Sequence, residues 1–220
     1  MSFDTPIKFI NRNWYVNERI IEVPFVLNNI ELSGQGKRLL DFGCTGSYLA
    51  LQLASLGYEV IGIDIRYYQF THPNFTFYKT NILDFEDNKG FDYITSVSVL
   101  EHVGLGAYGG EKNISDLRNT TIKLTELLKP EGKIIITVPF GKESEDDFER
   151  SFSRKEILSL FNHDNMELIK ENYYYRNKLK FWYQCDLTTA MTFSNVKEDR
   201  GPTGANCVGC FIWKKIEPKK

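Results

Sequence analysis

Cysteine is sparse in this sequence, with four in 220 residues. Cys44 and Cys185 stand alone, while Cys207 and Cys210 form a single C-x-x-C. That is too little for a disulfide framework. A structural zinc site needs two more ligands at recognisable spacing, and Cys44 and Cys185 do not supply such a pair. The four thiols are therefore read as small buried side chains, and no metal is expected. An excess of one charge is missing too. Lys plus Arg number 27 against 29 Asp plus Glu, a formal net charge of −2. This argues against bulk electrostatic capture of nucleic acid or an anionic membrane. The small basic groups at Arg176, Lys178 and Lys180 and at Lys214, Lys215, Lys219 and Lys220 are read as a solvated face and a frayed tail. No apolar run approaches the roughly 20 residues of a membrane-spanning helix. The opening MSFDTPIKFINRN lacks the basic and apolar segments of a secretory signal, so the cytoplasm is the expected location.

What is present is an ordinary globular composition, 42% hydrophobic and 25% charged, in a chain long enough for one sizeable core. One domain, residues 1–220, is expected: a helical cap over 1–36, a core over 37–175, and a hairpin and tail over 176–220. In the cap, Trp14, Ile20, Ile21 and Phe25 recur at helix-like intervals, with Pro24 as a break or kink. Strands are predicted at 38–42, 58–64, 75–78, 92–97, 133–138, 167–175 and 207–214. Between them, 48–56 reads as an apolar helix ended by Gly57. Ile114, Leu117, Leu124, Leu127 and Leu128 form a helical stripe that stops at KPEG, and Ser153-x-x-Glu156 is a capping box. Strands alternating with helices imply a doubly wound, mostly parallel sheet of α/β class. The last two strands, joined by a long irregular link, are expected as an antiparallel edge hairpin.

The stretch LLDFGCTGSYLALQLASLGYEVIGIDIR, residues 39–66, carries the chemistry. Small residues after the first strand let a ligand approach the backbone closely. The following helix directs free N–H groups at the same place. Asp64, 23 residues after Asp41, ends the second strand, where an acid can accept hydrogen bonds from both hydroxyls of a ribose. Together these describe an adenosine-type cofactor. The dinucleotide fingerprint G-x-G-x-x-G is absent: Gly43 and Gly46 are three apart, and Leu49 follows where a third glycine is due.

Residues 39–66 resemble the first two motifs of class I S-adenosylmethionine-dependent methyltransferases, of the small-molecule, type 11-like subgroup. The family pattern is an acid followed by three alternating glycines. Here Asp41, Gly43, Thr45 and Ser47 stand in those places and Gly46 falls off register, so a bulkier loop is implied. FYKTNILDF resembles the segment that receives the adenine amino group, with Asn81 at the position of the family's acid. FDYITSVSVLEHVGLG, LKPEGKIIITVP and RSFSRKEILSLF resemble the following motifs in order. The resemblance covers roughly residues 37–175. It implies a Rossmann-like sheet of seven strands and S-adenosyl-L-methionine as cofactor. The positions implied to hold that cofactor are Asp41, Gly43, Cys44, Thr45, Gly46, Asp64, Ile65, Asn81, Ile82 and Ser96.

The reaction implied is methyl transfer to a small molecule, with oxygen the expected acceptor atom. The tract EHVGLGAYGG also resembles a bacterial branch associated with surface-glycan genes, which adds a glycan-type acceptor. His102 is the first choice for a general base, because a near-neutral pKa suits removal of a hydroxyl proton. The alternative is a histidine that only hydrogen-bonds the sheet or the cofactor loop. Glu101 is read as a group that orients His102, bonds the acceptor, or helps hold a divalent ion as in some relatives. His72 and His163 are expected at the surface. Gly104 to Gly110, four glycines around Tyr108, reads as a lid or as an ordinary flexible connection. Tyr173, Tyr174, Tyr175, Trp182 and Tyr183 near Arg176 suit a ring-shaped acceptor, or else pack the core; Tyr108, Tyr175 and Arg176 are the expected substrate contacts. Two other functions stay open at this point, a nicotinamide-dependent oxidoreductase and a non-catalytic cofactor-binding regulator. The oligomeric state is not legible.

Overall fold

The structure is a computed structural model that describes residues 17–110, 112–113, 115–162, 165–196 and 204–217. Trp14, Ile114, His163 and most of the link between Ser194 and Asn206 lie outside them. In chain order the elements are α1 (Arg19–Leu27), β1 (Arg38–Phe42), α2 (Leu49–Ser55), β2 (Glu59–Asp64), β3 (Phe75–Lys79), β4 (Phe91–Val97) and α3 (Asp116–Leu127). They continue with β5 (Leu128–Pro139), β6 (Ser144–Glu145), β7 (Arg150–Ser151), α4 (Arg154–Leu160), β8 (Met166–Arg176), β9 (Trp182–Cys185), α5 (Leu187–Ala190) and β10 (Cys207–Lys215).

One eight-stranded sheet runs β3-β2-β1-β4-β5-β10-β8-β9, and β6 and β7 form a separate two-stranded hairpin. The pairs from β3 to β5 are parallel, whereas β10 is antiparallel to both β5 and β8. Side-chain alternation along the central strands fills two layers. Leu40, Phe42, Ile134, Ile136 and Val138 pack with Leu124 and Leu127 of α3 and Ile157 of α4. Leu39 and Ile135 point the other way, onto Phe25 and Val26 of α1 and Leu49 and Leu53 of α2. Each fully buried leucine or isoleucine contributes roughly 1.5–3 kcal/mol, so the central strands supply much of what holds the sheet. Strand order reverses about β1, between β2 on one side and β4 on the other. Ligands in such sheets bind beyond the carboxyl ends of the strands at that reversal.

Several elements differ from the sequence reading. The sheet has an eighth strand, β9, inside the supposedly irregular link. This strand, and not the β8–β10 pair, forms the edge. Helix α1 continues through Pro24 without a break, at the cost of one backbone hydrogen bond in a helix held by its buried face. Leu128 leaves the helical stripe and opens β5. The KPEG turn is absorbed as an irregularity in that strand, where pairing jumps from Phe91–Leu128 to Tyr93–Lys133 and Glu131 takes φ +66°. The capping box is present, with Ser153 accepting from the Glu156 N–H and Glu156 from the Ser153 N–H. Cys207 and Cys210 point to opposite faces, one into each core layer, so their C-x-x-C spacing cannot bring the thiols together.

Candidate active site

A cavity of about 660 Å³ opens at the carboxyl ends of β1, β2 and β4. Its cofactor-side wall is the turn after β1. Gly43 and Gly46 take φ +77° and +87°, where a side chain is strained. A Cβ on Gly46 meets nothing within 4 Å, while one on Gly43 strikes the Val99 side chain at 2.2 Å. Ser47 rather than Tyr48 caps α2, its Oγ accepting from the Leu49 N–H at 3.0 Å.

Asp64 ends β2 at 5% exposure and lines the cavity. Its carboxylate is fully engaged. Oδ2 accepts from the Thr45 N–H at 2.9 Å and from Arg66 Nη2 at 3.2 Å. Oδ1 accepts from Arg66 N at 2.8 Å and Nε at 3.2 Å. Arg66 Nη2 also donates to the Thr45 carbonyl, and the guanidinium lies 4.2 Å from the Tyr108 ring centre. Ile65, Asn81 and Ile82 line the same side. Asn81 Oδ1 already accepts from the Leu83 N–H, capping the short turn Ile82–Asp84. Thr45 Oγ1 is buried without a hydrogen-bond partner among the described residues.

Three of the residues expected at the cofactor do not line the cavity. Asp41, Cys44 and Ser96 have buried side chains beneath its floor. Asp41 Oδ1 accepts from the Thr95 hydroxyl at 2.8 Å, and burial pushes its carboxyl up to about 7 despite that bond. Cys44 packs against Gly62, and burial raises its thiol far above the usual value. Asp41 and Ser96 each stand one residue short of their strand's carboxyl end, and Cys44 turns from the loop into the core, so the motif match places them beside the cavity without making them line it. Tyr175 and Arg176 also stand off the cavity. Tyr175 stacks on Tyr183 and Phe193. Arg176 is 4% exposed, donates to the Gly204 carbonyl and Asn206 Oδ1, and sits by the Trp182 ring, behind the wall that Gly204 and Ala205 form. The aromatic patch is thus split: Tyr173 packs on Phe140 and Phe211 inside the sheet layer. His72 contacts Ser55 and Asn74, away from the cavity.

The opposite wall holds His102, Glu101 and the Gly104–Gly110 loop. Tyr108 takes φ +54°, an uncommon conformation for an aromatic residue. Its ring centre is 5.1 Å from those of both His102 and Phe148, and His102 and Phe148 are 4.7 Å apart. His102 Nδ1 is 2.7 Å from the Phe148 carbonyl oxygen, and Nε2 is 3.9 Å from Glu101 Oε1. Glu101 is 2% exposed, its Oε2 lacks a hydrogen-bond partner among the described residues, and burial holds its carboxyl well above the usual range. Among the described residues no three His, Cys, Asp or Glu side chains converge as a metal-binding group.

The start of α1 completes this wall, and sequence reasoning missed its residues. Glu22 is fully buried and accepts from Arg19 Nη1 at 2.7 Å and from the Ser98 hydroxyl at 2.6 Å. Arg19 also donates to the Val97 carbonyl, so the helix is pinned to the end of β4. Burial works against the Arg19 charge, but Glu22, Glu101 and Glu18 outweigh it. Glu18 lines the cavity and accepts from the Ala205 N–H, with its carboxyl raised by burial and by Glu22. A lone acid inside the apolar run of α1 was the available signal for Glu22. Phe148 and Glu149 enter from the β6–β7 hairpin, where a single aromatic in ESEDDFER was the hint.

Comparison with known proteins agrees with this architecture. Residues 20–183 match a family described as a methyltransferase domain. A ubiquinone biosynthesis O-methyltransferase of Glaesserella parasuis is 35% identical over 83 residues, which are 31% of this chain and 35% of that protein. The match therefore spans little more than a third of that curated relative. An S-adenosylmethionine-dependent methyltransferase structure from Methanosarcina mazei superposes with a TM-score of 0.61 at 16% identity, over 89% of this chain and 98% of that one. The Burkholderia thailandensis 1,6-didemethyltoxoflavin-N1-methyltransferase, solved with S-adenosylhomocysteine, gives 0.56 at 13% identity, over 84% and 73%. No helix among the described residues is long and apolar enough to cross a membrane. With the family matched over three quarters of the sequence, the chain belongs to the methyltransferase domain family, and its sheet has the fold of S-adenosylmethionine-dependent methyltransferase structures.

Proposed function

We propose that this enzyme methylates a hydroxyl group of a small-molecule or glycan-type acceptor, with His102 as general base. The observation that carries the reading is the 2.7 Å contact between His102 Nδ1 and the Phe148 carbonyl at the cavity wall. A carbonyl oxygen can only accept, so Nδ1 carries a proton, and the neutral ring then has its lone pair on Nε2. That tautomer can take a proton from a hydroxyl as its oxygen is methylated. The O-methyltransferase among the curated relatives supports oxygen as the acceptor atom.

The residues present fit S-adenosylmethionine. Thr45 Oγ1 is a buried hydroxyl in need of a partner, the space above Gly46 is open, and Asp64 stands at the strand end. When bound, the cofactor supplies an electrophilic methyl group on a sulfonium centre, so the protein's task is to position the reactants and manage the proton. Asp64 is assigned to the ribose hydroxyls, which take over acceptor positions now filled by the Arg66 guanidinium. Ile65 and Ile82 are assigned to the faces of the adenine, and Asn81 to its amino group. Gly43, Thr45 and Gly46 give the backbone its close approach, and Arg19 is assigned to the methionine carboxylate. Glu101, its carboxyl raised by burial and its Oε2 without a hydrogen-bond partner among the described residues, is assigned to contact the acceptor, and Tyr108 closes over it. The same proposal treats residues 1–220 as one functional domain, with no nucleic acid or membrane as partner.

The test is His102→Gln, assayed by mass spectrometry against a panel of hydroxylated acceptors, read as a gain of one methylene. Transfer should fall about a hundredfold or more, with S-adenosylhomocysteine affinity within twofold of wild type. A variant that transfers methyl groups at the wild-type rate overturns the assignment.

A further inference from the structure

We infer that the β6–β7 hairpin is a positioning device for His102, and that Asp146 is the residue that sets it. The inference rests on the reading of His102 as base but can be tested without it. The hairpin lies outside the main sheet and is held by two residue pairs, Ser144–Ser151 and Glu145–Arg150, the second reinforced by an ion pair at 3.1 Å. Its tip is Asp146-Asp147-Phe148-Glu149. Asp146 Oδ1 accepts from the N–H groups of both Phe148 and Glu149 at 2.8 Å, and the Asp146 N–H donates to the Glu149 carbonyl at 3.0 Å. An aspartate that bonds its own backbone two and three residues on fixes the turn it begins. The peptide plane it fixes is the one that aims the Phe148 carbonyl at an imidazole 46 residues away in sequence.

Two consequences follow for His102. A histidine side chain in water prefers its proton on Nε2, the wrong tautomer for a base at that nitrogen. The Phe148 carbonyl reverses the preference, because only an Nδ1–H makes the 2.7 Å contact a hydrogen bond. The Phe148 and Tyr108 rings, meeting the imidazole edge-on at 61° and 76°, then hold its plane. A hairpin that merely crossed the surface needs neither an aspartate at that turn position nor a carbonyl directed at a histidine.

The experiment is nitrogen-15 NMR of the imidazole region of the full chain. Of the three histidines in the sequence, His102 is assigned by its loss in His102→Gln. The wild-type spectrum should show a pyrrole-type Nδ1 and a pyridine-type Nε2 for His102. Asp146→Ala should lose that pattern and lower methyl transfer at least tenfold. Asp146→Asn keeps an oxygen for the same two N–H groups and should restore both. Phe148→Ala, which keeps the carbonyl, should retain the tautomer, and it serves as the second variant if Asp146→Ala fails to fold. A wild-type His102 protonated on Nε2, or an unchanged tautomer in Asp146→Ala, overturns the inference. A locked Nδ1–H tautomer in an enzyme that His102→Gln leaves active overturns the base and keeps the hairpin's hold on the ring.

Discussion

The two walls of the cavity are built differently. The cofactor-side wall comes from one continuous part of the chain, the turn after β1, the end of β2 and the turn after β3, all between residues 43 and 84. The acceptor-side wall is assembled from distant places: the start of α1, the end of β4 with its loop, the first turns of α3, the end of β5, the tip of the β6–β7 hairpin, and the residues just before β10. The first wall is fixed by the sheet. The second is tied together by side chains, among them Glu22 to Ser98 and Glu18 to Ala205, while Arg66 against Tyr108 joins it to the first. One wall can thus hold a shared cofactor while the other is free to differ between enzymes.

The largest effect that separates the walls is expected at Asp64. Asp64→Ala removes the carboxylate assigned to ribose and frees the Thr45 N–H, so the S-adenosylhomocysteine dissociation constant should rise about a hundredfold, close to 2.8 kcal/mol. Titration calorimetry reads it, and a value within threefold of wild type would break the assignment. On the other wall, Glu22→Ala leaves Arg19 partly unpaired and the Ser98 hydroxyl without its acceptor. It should cost about 2 kcal/mol of stability in a denaturant titration. An unchanged midpoint would mean that α1 does not depend on this tie.

Asp41, under the floor between the walls, should give a smaller, pH-dependent effect. Its folded pKa of about 7 lies above the ordinary 3.8. Between these values the unfolded chain binds fewer protons than the folded one, so this group makes stability fall as pH rises from about 4 to about 7. Wild type should therefore lose more stability than Asp41→Asn on going from pH 5 to pH 8, followed by chemical denaturation. Parallel curves would show that the carboxyl titrates normally. The smallest effect is expected at Tyr175→Phe, which lies off the cavity: methyl transfer within twofold of wild type, with a tenfold loss bringing that ring back into the site.

The same contrast explains what was legible in the sequence. Asp64, Ile65, Asn81, Ile82, Gly43 and Gly46 could be read because strand ends and small-residue turns mark themselves locally. The sheet was legible through β5 for the same reason. Glu18, Arg19, Phe148, Glu149 and Ala205 could not be read, because their place depends on which distant segments fold back onto β4. Asp41, Cys44 and Ser96 carried the motif but not the contact, since their side chains are buried in the core, a direction the motif does not encode. Strand β9 was missed inside WYQC, too short and too polar to announce itself among its neighbours.

The place of β10 has a consequence for how the molecule is made. The segment from Cys207 to Lys215 is the mortise joint of the sheet: β5 touches it on one side and β8 on the other, and those two never meet. On the ribosome, everything up to β9 has emerged before that joint can close. Until then two partly finished halves wait with open edges, and removing Cys207–Lys215 would part them rather than trim a tail.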